Sequence, residues 1–261
     1  MSTVAIDERA RSVPALGGFN STLLRLELRR LLRNRRTVVF TLIMPPVFFL
    51  IFGTQQSYRT QRAGHGNVTA YVAVSMAVYG AMLACTGGGA TVSVERAQGW
   101  SRQLRLTPLS SVAYIAVKTL VAMVMGLASV VMVFVVAAFS HADMPLHVWV
   151  ECGLVAWLGS LVFAAFGLFM GYLLPAENVM QILGPVLAVL AFAGGLFVPL
   201  DDGTLFATVS KFTPLYGLAT LGRLPLTSDG NGWTALLNIV VWGAVFVAGA
   251  AWRFRRDTAR V

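Results

Sequence analysis

Few side chains in this sequence are placed for bond-making chemistry. His65, His141 and His147 fall in connections between apolar runs and share no ligand spacing. Cys85 and Cys152 lie within such runs, where a free cysteine acts as a small hydrophobe. Neither a metal site nor a disulfide framework is expected. Lys118 and Lys211 are the only lysines, and neither follows a glycine. The G-x-x-x-x-G-K loop that cradles phosphates is therefore missing, and no catalytic residue or bound cofactor is expected on this chain. The Gly87–Gly89 run reads instead as a place where helices pack closely.

What remains is the chemistry of recognition. The stretch "ERAQGWSRQLRLTPLS", Glu95 to Ser110, is basic and lies between two strongly apolar segments. From Ser93 to Leu106 only Gly99 interrupts a helical reading, and Thr107 before Pro108 ends it. On a helix, Trp100 and Leu104 fall at i and i+4, forming an apolar knob rimmed by Arg102 and Arg105, with Glu95 and Arg96 at its root. Such a knob suits insertion into another protein's cleft. It equally suits lying flat on a lipid surface, with Trp100 as anchor and the arginines on phosphates.

Other polar groups are scattered. Glu151 and Lys118 stand near the ends of apolar runs, where each can snorkel to water; Glu151 is alternatively a cargo contact. Met76, Tyr79 and Gln181, with the bend at Pro45-Pro46, either line a pathway or simply pack helices. Glu177, in the short "PAEN" turn, either meets a partner or is solvated.

The elements that must position these groups follow from composition. Of 261 residues, 57% are hydrophobic and 12% charged, with mean hydropathy +0.72. A soluble domain would carry roughly a quarter charged residues. The net charge of +9 and pI of 10.4 do not indicate a nucleic-acid partner, because the charges cluster just outside the apolar runs. Six such runs, at about 37–53, 68–92, 112–139, 148–174, 179–198 and 234–252, are each near the ~20 residues a spanning helix needs. The expectation is an all-α integral membrane protein in contact with lipid.

Sixteen of the 20 Lys and Arg residues fall on the side of the termini, which places both termini in the cytoplasm. Residues 1–18 read as a disordered cytoplasmic tail, 19–252 as one transmembrane domain, and 253–261 as a second cytoplasmic tail. The "RNRRTVVF" start of the first run resembles a twin-arginine signal only superficially, and the span is expected to be retained. Pro45-Pro46 should bend it and free carbonyls that need protein partners. Leu24, Leu28, Leu31 and Leu32 line one face of a helix over 20–36, suited to the cytoplasmic interface. Between the fifth and sixth runs, Pro199, Pro214 and Pro225 divide an apolar stretch into pieces too short to span. One or two short helices dipping into the outer leaflet are expected there.

In this frame the Glu95–Ser110 stretch resembles the cytoplasmic signature of ABC-2 type exporter permeases. The resemblance is carried by Glu95, Arg96, Gly99, Leu104, Leu106, Thr107, Pro108, Leu109 and Ser110, with Lys118 in the next span. "AGGLFVPLDD" (193–202) and "FTPLYGL" (212–218) are similar to the family's fifth-span exit and outer short helices. "GWSRQ" departs from the smaller and acidic residues that many members carry after the glycine, which bears on the ATPase subtype met.

The resemblance implies that residues 93–110 form a coupling helix docked on a separate ABC ATPase subunit, in two copies, which holds the ATP and Mg. It implies a second permease copy, identical or paralogous, and a bacterial cell membrane. It implies export of an amphiphile such as a drug, antibiotic, lipid or peptide. An ion-gradient-driven secondary transporter would instead want intramembrane carboxylates or a paired broken-helix repeat. A membrane-embedded enzyme would want clustered His, Asp or Glu at one face. The sequence displays neither pattern.

Overall fold

Asn20 opens the described chain by accepting the Thr22 N–H at 2.8 Å, capping helix α1 (Ser21–Arg33). The computed structural model describes residues 20–99, 109–197 and 203–259. The expected tail 1–18 and most of the Glu95–Ser110 stretch lie outside them. Leu31 is buried with Val117, Val121 and Met125, and Leu24 and Leu28 pack alongside, whereas Leu32 is exposed. The helix expected over 20–36 stops at Arg33. Asn34 leaves the helical region and re-caps a short α2 (Arg35–Val38) through Thr37 N–H at 3.3 Å.

A π-helical turn (Val39–Ile43) joins α2 to α3 (Met44–Gly53), with Pro45 and Pro46 buried in the first turn of α3. Pro45 has no N–H to give the Thr41 carbonyl. That carbonyl accepts from Ser129 Oγ at 2.7 Å instead, so the freed group has found protein, as its placement in hydrocarbon demands. α4 (Gln56–Thr60) and a two-residue hairpin, β1 (Arg62–Ala63) with antiparallel β2 (Gly66–Asn67), follow. Asn67 caps the next helix through Ala70 N–H at 2.9 Å and donates to the His141 carbonyl at 2.9 Å, tying this turn to a distant one.

α5 (Val68–Ala97) is the central helix, its apolar window 78% buried. Its small residues let two neighbours approach closely. These are α6 (Ser111–Phe139) and the second half of a broken fourth span, α7 (Leu146–Gly159) and α8 (Leu161–Leu173). A Cβ on Gly88 would stand 2.7 Å from Ala122 Cβ, and one on Gly89 2.6 Å from the Ala164 carbonyl. The glycine run is a packing surface. Gly167 sits tighter still, its absent Cβ 2.2 Å from the Thr86 carbonyl, a backbone atom that cannot swing away. Gly167→Ala is expected to lower stability by about 1–3 kcal/mol. Gly87→Ala, where nothing lies within 4 Å, should not. Thermal unfolding in detergent compares the two, and equal midpoints would refute the packing argument.

The fourth span breaks at Ser160, whose Oγ donates to the Trp157 carbonyl at 2.6 Å. α9 (Ala176–Ala193) ends five residues before the expected 198. Gly195 takes φ 71°, and Leu196 N–H returns to the Ala191 carbonyl at 2.9 Å, stopping the helix while the sequence is still apolar. Leu196 is buried, and Phe197 packs edge-on against Tyr79 at 5.0 Å. Two short helices, α10 (Leu205–Ser210) and α11 (Tyr216–Thr227), occupy the connection where one or two were expected. α12 (Gly232–Ala259) runs well past the expected 252, so the proposed tail begins as helix. Among the described residues, six helical segments are long and apolar enough to cross a membrane, the pattern of a multi-pass, almost wholly α-helical membrane protein.

Candidate functional site

The last turn of α5 is where charge has been carried inside. Glu95 is 2% exposed and both its carboxylate oxygens are engaged. Oε1 accepts from Arg30 of α1 at 2.8 Å and from Lys118 Nζ of α6, and Oε2 accepts from the Tyr114 hydroxyl. Lys118 Nζ also donates to Glu27 Oε2 at 2.7 Å. Helical spacing explains the convergence. Glu27 and Arg30 are i and i+3 on α1, and Tyr114 and Lys118 are i and i+4 on α6, so each pair presents both members to one neighbour. Two acids face two bases, and the charges balance, as burial requires.

Arg96 points the other way. It donates to the Gly171 and Tyr172 carbonyls at 3.1 and 3.0 Å, capping the end of α8, and its guanidinium lies 5.6 Å from the Tyr172 ring centre. Consecutive residues thus fix one helix end to three others. Beyond them Gln98 and Gly99 close α5. Gly99 N–H donates to the Arg96 carbonyl at 3.0 Å with φ 71°, a left-handed turn in open space where glycine is needed for its backbone rather than its size. A helix running through Ser93–Leu106 is therefore interrupted at Gly99. At the far end Ser110 caps α6 by accepting the Ala113 N–H at 3.1 Å. Residues 100–108 connect these two helix ends.

Of the residues expected to couple, Glu95, Arg96 and Gly99 form this root. Trp100, Arg102, Leu104, Arg105, Thr107 and Pro108 lie outside the described residues. Lys118 does not snorkel to solvent as expected. It is 3% exposed and ion-paired twice, because α1 folds over it and supplies Glu27. Glu27 was not singled out in the sequence. The available signal was a lone acid among the arginines of an amphipathic helix.

Of the residues expected along a pathway, four come together and two stand apart. Pro45, Pro46, Met76 and Tyr79 are buried around the α3–α5 contact, with Tyr79 6.4 Å from the Phe48 ring. Glu151 on α7 and Gln181 on α9 are exposed on different helices. Arg223, one of the four basic residues outside the termini-side clusters, bears no mark in the sequence of its structural role. It is buried in α11, donating to the Ala219 and Gly195 carbonyls at 3.0 Å each and to the Tyr71 hydroxyl, with its guanidinium 5.0 Å from the Tyr71 ring centre. It pins the exit of α9 to α11 and α5. Burial pushes its pKa below the ordinary arginine value, while the Tyr71 oxygen favours the charged form.

Residues 20–220 match the sequence model of a family described as ABC-2 type transporter. The chain is also 27% identical over 240 residues to "Putative transport permease YvfS" of Bacillus subtilis (strain 168), covering 89% of this chain and 96% of that protein.

Proposed function

This chain belongs to the ABC-2 type transporter family, and on that premise we propose that it is the membrane subunit of an ATP-driven exporter of an amphiphilic cargo. It is a transport permease of a family that works with an ABC ATPase. The finer assignment rests on one observation, the double anchoring of the segment between Gln98 and Leu109. Glu95 and Arg96 tie its start to α1, α6 and α8, and Ser110 caps α6 where it ends. A load applied to it by an ATPase passes directly into α5 and α6 as a rigid-body shift. Trp100 and Leu104 are the apolar contacts offered to the ATPase groove, and Arg102 and Arg105 are the rim. ATP and Mg are held by two copies of that partner.

Both termini are placed in the cytoplasm by the Lys and Arg distribution of a bacterial plasma-membrane protein. α1 then lies at the inner interface, with Leu26 and Leu32 exposed toward lipid. α10 and α11 become short outer-leaflet elements. A second permease copy packs on α9, most of whose surface is left uncovered and which exposes Asn178 and Gln181. Such amides are costly against lipid and find partners across a helix–helix seam.

An ion-driven carrier would use a buried carboxylate as a proton site. Glu95 is the obvious candidate, but both its oxygens already accept from Arg30, Lys118 and Tyr114, the arrangement of a structural junction between helices. The tagged chain, extracted in mild detergent from its own host, is expected to carry a stoichiometric ATPase bearing a G-x-x-x-x-G-K loop. Export into membrane vesicles should stop when ATP is withheld. Transport that persists on a proton gradient without ATP would overturn the assignment.

A further inference from the structure

α6, the broken fourth span and α12 enclose a groove of about 430 Å³ that no contact described so far fills. Its walls include Thr119 of α6, Ala165 and Tyr172 of α8, and Gly243, Val247 and Ala251 of α12. Small residues along α12 create it, because a helix with leucines at those positions would close onto α8. It extends along α12 from Ile239 to Ala251, twelve residue steps, or ~18 Å at the helical rise of ~1.5 Å per residue. One leaflet of hydrocarbon is ~15 Å deep, half of the ~30 Å bilayer core. The slot therefore matches a single acyl chain entering from the side of the chain's termini. It does not involve α9, where the second permease copy is placed.

The mouth of the slot is cationic and aromatic. Trp252 follows Ala251 directly, with the Arg256 and Arg253 guanidiniums 4.2 and 5.8 Å from its ring centre. Arg255 falls one turn beyond Ala251 on the same helical face. Across the slot Tyr172 carries Arg96 at 5.6 Å and packs edge-on against Phe254 at 5.7 Å. Arginine beside tryptophan at the edge of an apolar span marks headgroup depth, and several such cations read as recognition of an anionic lipid. Apolar walls give little specificity of their own. The selective part is the mouth.

We propose that this groove binds one anionic phospholipid from the leaflet on the termini side. Its acyl chain lies between α6, α8 and α12, and its phosphate lies against the arginines that follow Ala251. A lipid held there would splint α12 to the α8 end that Arg96 also caps.

The full-length protein in mild detergent, titrated with phosphatidylglycerol or phosphatidylcholine of the same acyl chains, tests this by native mass spectrometry. One phosphatidylglycerol should be retained in preference to phosphatidylcholine. Arg253→Gln and Arg256→Gln should each reduce that preference about fivefold, the effect of one cation near an anionic surface. They should weaken binding of phosphatidylcholine less, because its phosphate charge is offset by its own choline cation. Gly243→Leu and Ala250→Leu, which project into the slot, should abolish retention of either lipid, and a monodisperse elution profile shows that each variant is folded. Equal retention of the two lipids by the wild type would overturn the proposal. So would retention that survives both slot-filling substitutions, or a change in copy number rather than in lipid when the slot is filled.

Discussion

Lys118→Met is expected to destabilise the protein by about 3–5 kcal/mol, the effect of removing one partner from a buried ion pair. That corresponds to a drop on the order of 10 °C in the unfolding midpoint for a chain of this size. The reason lies in what the substitution leaves behind. Glu95 and Glu27, 2% and 11% exposed, would share the site with Arg30 alone, which is itself half exposed and so screened. One buried and one largely covered carboxylate would face less than one effective positive charge. Adding Glu95→Gln to Lys118→Met removes the orphaned charge while keeping an acceptor for Tyr114 and Arg30, so the double variant should recover at least half of the loss. A double-mutant cycle by thermal unfolding in detergent reads the coupling directly. A single-variant cost below about 1 kcal/mol, the range of exposed pairs, would show that the cluster is not a buried junction.

The second large effect concerns coupling rather than folding. Trp100→Ala and Leu104→Ala are each expected to reduce the ATPase activity stimulated by this subunit by about 30-fold, the loss that follows from about 2 kcal/mol at an interface hot spot. Membrane insertion and the unfolding midpoint should stay at the wild-type values if the proposed contact with the ATPase is their role. Gly99→Val should also uncouple, by a different route. A β-branched residue at φ 71° costs about 1–2 kcal/mol in the left-handed region and would redirect the chain leaving α5. The contrast with Lys118→Met separates a peg that docks from a root that holds. Stimulated ATPase activity at the wild-type level in Trp100→Ala and Leu104→Ala would assign the segment to the lipid surface instead.

The spans were readable because hydrocarbon is an unforgiving solvent: runs of apolar residues near ~20 long have few other uses. The third run, expected at 112–139, coincides with α6 to within a residue. Pro45 was informative for the same reason, since a missing N–H in an apolar span must be answered elsewhere, although the sequence did not reveal that Ser129 would answer it. Where the hydropathy signal misled, local backbone chemistry prevailed over composition. Gly194-Gly195 ends α9 inside an apolar run, and Ser160 breaks the fourth span without any change in polarity.

By itself the sequence determined the solvent, the six apolar runs, and the place where a basic segment interrupts the apolar pattern. These are properties of single residues and of their spacing along one strand of chain. Only the tertiary structure decided that Glu27, Glu95 and Lys118, far apart in sequence, share one buried charge balance, and that Arg223 is a pin rather than a surface charge. The physical reason is that a charge on an apolar stretch carries no local mark of its partner. Whether it reaches water or a counter-charge depends on which helices pack beside it.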